Sequence, residues 1–441
     1  GHHETLNGDR GLVKGNDAVG TTDAAARLAP GLQPELDLER LVRSGLITTS
    51  FAPVVDLDTE AVVAHRVFHT SAEVDSFEME DFVAVRRAVR ESPLAGDFDS
   101  SLRAIALREA QRLELPANNR LLLTTEPQSL VTVEDRTGEP DRSAVLHLHP
   151  ERIAMAPAMA LRSVRQARTL GWGIGMSSIG MDLTTTAFLP LVNPSVVMLH
   201  RDVLRIDDSA HIAELIRLLH AHVERTGAII VADGIETDAD VLTASAMGAR
   251  FGTGTRFGTP SRTPTPVEAT REDPVAAHFT RNRPAQGTPF TIAQSLRRDP
   301  MVMDGDMLDA QLRSLEERAL TAGRSTVVIG VFAGHVQLPE STTERYARIA
   351  GSSGYTVMLS NGFDVPPVAA AWGGSVDTSD PLGEEFASII VGPDWSGMTV
   401  AKRRPAPGPD GRTEFDVHVT TERYTCVDAA RSVMSRIRAL R

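Results

Sequence analysis

His147 and His200 stand at or near the ends of short apolar runs, and two acids, Asp233 and Glu236, follow a third run of the same kind. Two imidazoles and one carboxylate meeting at strand ends would suit a single transition metal with open positions for water or substrate. The alternative is that these are ordinary strand-end histidines bonded to neighbours or water. We adopt the second expectation, because no local ligand spacing supports a cage and Arg66 would bring a like charge to the same place. No metal and no cofactor are therefore expected, and His147, His200 and Asp233 remain the set to test. His65, His69 and His149, and His220 and His222 on one helical stretch, have no better spacing. Two glycine patterns, Gly173, Gly175 and Gly180, then Gly252, Gly254 and Gly258, invite a nucleotide reading. Neither has the full dinucleotide spacing, and the second runs into Thr259-Pro260 instead of opening a helix, so backbone turns are expected. The single cysteine, Cys426, can close no disulfide within the chain and reads as a small buried hydrophobe.

Residues so far apart can act together only on a scaffold that gathers strand ends. From Phe51 onward, short β-branched runs at 52–56, 61–64, 121–125, 145–148, 173–176, 195–199, 228–232 and 249–253 alternate with helical periods. Leu102, Ile105, Ala106, Ala110 and Leu113 share one helical face, as do Ile212, Leu215, Ile216, Leu219 and Val223. This alternation predicts an α/β fold, a (β/α)8 barrel, with a doubly wound open sheet as the structural alternative. The Pro-rich stretch 261–289 reads as a linker. Beyond it, residues 290–441 form a second, smaller α+β or α/β domain: a helix bearing Met307, Leu308, Leu312, Leu315 and Ala319, strands near 326–332, 355–359, 368–372, 387–391, 398–401 and 415–419, and a final helix with Val427, Ala430 and Val433. Residues 1–34, poor in periodic apolar positions and opening on what looks like a cloning scar, are expected to be a mobile arm.

The composition sets outer limits. Hydrophobic residues at 41% and charged residues at 23% suit a globular chain of 441 residues. The formal net charge of -13, without segregated basic residues, argues against nucleic acid as a partner. No membrane-length apolar run and no signal-peptide pattern are evident, which predicts a cytoplasmic protein without membrane association.

The most informative pattern is a series of motifs in order. Phe51-Ala52-Pro53-Val54-Val55-Asp56-Leu57 is followed by the runs 121–130, 145–150 and 175–180, then by Val231-Ala232-Asp233-Gly234-Ile235-Glu236-Thr237 and a closing set of Gly248, Gly254, Phe257, Gly258 and Pro260. Residues 35–260 resemble the EAL domains, the cyclic di-GMP phosphodiesterase family. The resemblance implies a barrel with its site at the C-terminal strand ends and, in active members, two divalent metals that activate water. It also implies that the ligands are largely missing here. Arg66-Val67-Phe68 stands where the family's Glu-Ala-Leu is expected. Thr124 replaces an Asn ligand, His147 a Glu, and Ser177-Ser178 the paired aspartates that bridge the metals. Met198 occupies the position of the Lys thought to orient the water, and Thr253 that of a Gln. Only Asp233 and Glu236 keep acidic character, so Arg66 is expected to pair with one of them or else to swing out to solvent.

The second domain resembles the DICT family of bacterial sensory modules, on the helix around 308–320, the strand 326–332, Glu344-Arg345-Tyr346-Ala347-Arg348-Ile349-Ala350, and Asp380-Pro381-Leu382 with Glu384-Glu385-Phe386. Tyr346, Trp372, Phe386 and Trp395 are candidates to line a sensor pocket, with core packing as the other role for at least half of them. Two functions follow. One is a non-catalytic signalling protein, a degenerate EAL-like barrel coupled to a DICT-like sensor and acting on an unknown small molecule or protein partner. The other is a cyclic di-GMP phosphodiesterase with remodelled ligands. The resemblance adds a homodimer through the barrel, near the loop that Ser177-Ser178 opens.

Overall fold

Ten residues, Ile47–Asp56, are extended and almost wholly buried, and they turn at 57–61 straight into a second ten-residue strand, Val62–Ser71. A connection that short allows only antiparallel pairing, and Phe51 lies opposite Val67 and Ala52 opposite Arg66. These are β1 and β2. The computed structural model describes residues 47–71, 89, 95–132, 144–267, 286–334 and 337–437. The expected N-terminal arm and most of the expected linker lie outside the described residues.

Six further strands follow: β3 (Arg120–Thr124), β4 (Ala144–Leu148), β5 (Gly173–Ile179), β6 (Val196–Leu199), β7 (Ile229–Ala232) and β8 (Phe251–Gly252). They pair in chain order, parallel from β2 to β8, and β8 closes on β1 antiparallel through Val55 opposite Gly252. The expected eight-stranded closed barrel is therefore present, with β1 running against the other seven. Val54, Ala64, Leu122, Val145, Val196, Met198, Val231 and Phe251 form one apolar cluster fed by seven of the eight strands. The barrel thus has a packed centre and no channel. Around it lie α1 (Ala95–Arg112), α2 (Pro127–Thr132), α3 (Pro150–Met155), α4 (Pro157–Thr169), α5 (Leu189–Val192), α6 (Ser209–Thr226) and α7 (Asp238–Ala246). Helix α6 starts because the Asp208 carboxylate caps the Ala210 and His211 amides, and it stops at Gly227, whose φ of 70° an L side chain resists. The closing glycines act on the backbone as expected: Gly254 sits at φ 150°, where a Cβ would lie 2.2 Å from the Ile235 carbonyl.

The second unit contains α8 (Pro289–Gln294), β9 (Met301–Asp304), α9 (Gly305–Ala319), β10 (Val327–Val331), α10 (Glu340–Ser352), β11 (Tyr355–Ser360), β12 (Trp372–Ser375), β13 (Glu385–Val391), β14 (Ser396–Arg403), β15 (Glu414–Thr420) and α11 (Arg423–Met434). Its seven strands form one mixed sheet in the order β12-β11-β10-β13-β14-β15-β9. Two readings need correction. The run 368–372 is not a strand: Ala371 donates back to the Val368 carbonyl at 3.0 Å, a turn, and the strand begins only at Trp372. Strand β9 was not anticipated, because Met301 and Val302 are both about half exposed on an edge and leave no alternating pattern.

The two units share a core. Phe188 and Leu189 of the barrel fall in the same buried cluster as Tyr355, Val427 and Ala430. Tyr355 anchors the contact, its ring 4.9 Å from that of Phe188 and its hydroxyl donating to the Ala154 carbonyl at 2.8 Å. Burial pushes this phenol far above its usual range.

Candidate functional site at the barrel mouth

Strand β7 ends at Ala232, so Asp233 is the first residue past the sheet, on the rim where the parallel strands finish. Arg66 comes from the middle of β2. Its Nη1 lies 2.6 Å from Asp233 Oδ2, and the side chains keep only 25% and 18% of their exposure. The other carboxylate oxygen accepts the Gly234 amide at 2.7 Å. The guanidinium also lies over the Phe68 ring at 4.9 Å, which fixes its plane. Of the two partners expected for Arg66, Asp233 is the one it meets. Glu236 points elsewhere: its side chain is 61% exposed and reaches Arg205 at 3.4 Å, while its amide is held by Asp240, a carboxylate also engaged in the capping box that starts α7.

Beside this pair the rim is apolar or self-contained. Thr124 lies opposite His147 in the β3–β4 register, and His147 lies opposite Gly175 in β4–β5. The His147 ring is wholly buried, and no well-formed hydrogen bond reaches either nitrogen. Burial, helped by the nearby charges of Arg66 and His149, holds its pKa down at about 3, so the ring is neutral. Ser177 and Ser178 form an irregularity at the end of β5, where the register to β6 slips between Met176 and Ile179 and Ser178 takes φ 58°. Met198 is 3% exposed within the barrel's apolar centre, and the Thr253 amide is tied to the Ala232 carbonyl at 2.9 Å.

This donor set does not fit a two-metal centre. Two cations need several oxygen ligands in one place, and here a fixed positive charge occupies Asp233, the carboxylate directly past the end of β7. Among the described residues no three His, Cys, Asp or Glu side chains converge as a metal cage. The alternative set is not assembled: His147 is sealed in, Asp233 is held by Arg66, and His200 turns to its own loop, where Nδ1 accepts the Asp202 amide at 3.1 Å.

With that geometry in place, the EAL domain family model matches residues 35–260, just over half of the chain. The chain belongs to the EAL domain family. Solved structures similar to it include the manganese and cyclic di-GMP complex of Klebsiella pneumoniae BlrP1, at 18% identity and a TM-score of 0.43, over 50% of this chain and 57% of that one. Two others are the PaMucR phosphodiesterase in complex with cyclic di-GMP, at 15% and 0.43 over 52% and 98%, and an EAL domain protein from Listeria monocytogenes EGD-e, at 15% and 0.40 over 53% and 96%. The chain thus spans little more than half the length of BlrP1. No curated protein sequence matches it. Among the described residues no helix is long and apolar enough to cross a membrane.

Outside the EAL barrel, the four aromatics read as a sensor pocket are dispersed. Tyr346 is fully buried beside Phe332, Trp372 stacks on Tyr355 at 5.5 Å, Phe386 meets Phe415 at 5.8 Å, and Trp395 lies under the Arg318 guanidinium at 3.8 Å. They belong to four separate apolar clusters, because Trp372 and Phe386 sit on different strands, Tyr346 on helix α10 and Trp395 in the turn before β14. Sequence reasoning missed Glu316, 3% exposed on α9, which accepts from Arg345 Nε at 2.6 Å, the Tyr346 hydroxyl at 3.0 Å and the Ser388 hydroxyl at 2.9 Å. The signal is half present in the sequence: Arg345-Tyr346 stands out there, and a buried pair of that kind requires a carboxylate on a facing element.

Proposed function

We propose that this protein is a non-catalytic signalling component, an EAL barrel that no longer hydrolyses cyclic di-GMP, joined to a DICT-like sensory domain. The observation that carries this reading is the Arg66–Asp233 pair at 2.6 Å. A guanidinium there repels the divalent cations that phosphodiester hydrolysis in this family uses, and it takes up the acid such cations would need. The apolar Met198 and the neutral, buried His147 support the same reading, since neither supplies charge to a phosphate or to water. The shared core around Tyr355 and Phe188 favours action through coupled domains, with a change in the sensor transmitted to the barrel surface.

Incubation of the purified chain with cyclic di-GMP and Mg or Mn tests it. No linear dinucleotide or GMP forms on this reading, and calorimetry gives no submicromolar dissociation constant, which would correspond to about 8 kcal/mol or more. Turnover that scales with protein and disappears in Glu236→Ala would establish instead a phosphodiesterase with remodelled ligands.

A further inference from the structure

A cleft of about 680 Å³ opens where the second domain docks on the barrel, at the end of the barrel where β6 and β7 begin and so opposite the mouth. That volume suits a small metabolite. One wall is apolar, built from Leu189 and Leu218 of the barrel and Val427 of α11. His222 adds a neutral side: its ring is buried, bonded to the Pro194 carbonyl at 3.2 Å, and held down at about 4 by burial and by Arg423 and Arg225.

The remaining wall carries positive charge. Arg225, in the last turn of α6, and Arg423, the first residue of α11, approach from different domains. Each gives one N–H to the same turn, Arg225 to the Pro393 carbonyl and Arg423 to that of Gly392 at 2.8 Å. Among the described residues neither has a carboxylate in a salt bridge. The nearby acids are otherwise engaged: Asp394 is bonded to Arg217 at 2.8 Å, Asp428 to Arg431 at 3.3 Å, and Glu422 caps the Tyr424 and Thr425 amides. Burial first, and then the neighbouring Arg225, pull the Arg423 pKa down to about 10, with Asp394 opposing in part. At the rim stands Tyr424, an aromatic 82% exposed although it lines a cavity.

We propose that this cleft binds a phosphate-bearing small molecule of about mononucleotide size, with the phosphate seated between Arg225 and Arg423 and an aromatic portion against Tyr424 and the apolar wall. Two guanidinium forks lining one cleft and anchored on one turn suit a multi-oxygen dianion, whereas a single carboxylate saturates only one of them. Because one arginine belongs to each domain, an occupied cleft ties the domains together and raises the stability of the docked form by mass action. This site is separate from the barrel mouth.

Calorimetry and thermal melting of the full chain with pyrophosphate and with GMP test the assignment. Both probes are expected to bind saturably with submillimolar dissociation constants and to raise the melting temperature. Arg225→Gln and Arg423→Gln each weaken both probes at least tenfold, Tyr424→Ala weakens GMP and leaves pyrophosphate unchanged, and Asp233→Ala at the mouth changes neither. Arg225 is exposed and its removal relieves crowding on Arg423, so that variant carries the test if Arg423→Gln fails to fold. Failure of both probes to bind, parent-like binding by folded Arg225→Gln, or loss of binding in Asp233→Ala would overturn the proposal. Presence or absence of cyclic di-GMP turnover reads the mouth alone, so turnover would overturn the non-catalytic reading and leave this result standing.

Discussion

The barrel mouth and the interdomain cleft each place arginine next to a buried histidine, yet the charges are handled in opposite ways. At the mouth, Arg66 meets a carboxylate at 2.6 Å, and the neighbouring His147 fills its space completely. At the cleft, Arg225 and Arg423 hydrogen-bond to carbonyl oxygens and, among the described residues, neither makes a salt bridge, around open volume. A charge with its counter-ion in the same chain has little use for a ligand, whereas two unneutralised cations beside a cavity favour an anion from outside. The difference locates ligand chemistry away from the place where the family fold would first suggest it.

The tightness of the mouth gives the largest expected effect. A Cβ on Gly175 would lie 2.6 Å from the His147 ring, which is buried on every side, so Gly175→Ala is expected to cost about 2–3 kcal/mol in urea unfolding at pH 7. A loss below 0.5 kcal/mol would show slack at the mouth and weaken the contrast.

The two histidines come next. Both have folded pKa values below the ordinary 6.5, about 3 for His147 and about 4 for His222, so the unfolded chain binds more protons than the folded one below pH 6.5. Stability is therefore nearly full above pH 7 and falls on acidification, by roughly 2 kcal/mol from each site between pH 7 and 5. His147→Leu and His222→Leu are each expected to remove that share of the loss between pH 7 and pH 5. Below pH 4 only the His147 contribution keeps growing. Unchanged acid sensitivity in His147→Leu would mean that this ring reaches solvent.

The smallest effect concerns the ion pair itself. Asp233→Ala leaves Arg66 without its counter-charge in a site that is about one-quarter exposed, and a loss of about 1–2 kcal/mol is expected, reduced at high salt. A variant as stable as the parent would show that Arg66 swings out to water, and the account of a closed mouth would fail.

The barrel was legible because its signal is local. Most strands from β3 to β7 are short runs rich in Leu, Val and Ile bounded by turn residues, and burial on both faces favours that composition. The lengths of β1 and β2 were not legible: the expected runs 52–56 and 61–64 stop at polar residues such as Ser50, His65 and Arg66, which the tertiary structure nevertheless carries within paired strands. The same limit dispersed the aromatics of the second domain. Tyr346, Trp372, Phe386 and Trp395 are alike in type, but the sheet order β12-β11-β10-β13 and the facing helices assign each to a different apolar cluster.

By itself the sequence determined which residue types stand at the strand ends, since that is a matter of residue type and needs no coordinates. It also narrowed the partner of Arg66 to two acids 167 and 170 residues away, because strand-end positions in a closed barrel share one rim. Tertiary structure alone decided between them: Asp233 sits on the rim, and Glu236, three residues further on, has already turned outward beneath the cap of α7. The cleft lay beyond any sequence signal. Arg225 and Arg423 belong to different domains and share no motif, and their meeting depends on how two surfaces dock through contacts such as Tyr355 on Phe188 and Arg431 on the Leu191 carbonyl. Docking of that kind is the sum of many weak, non-local interactions, and no periodicity along the chain records it.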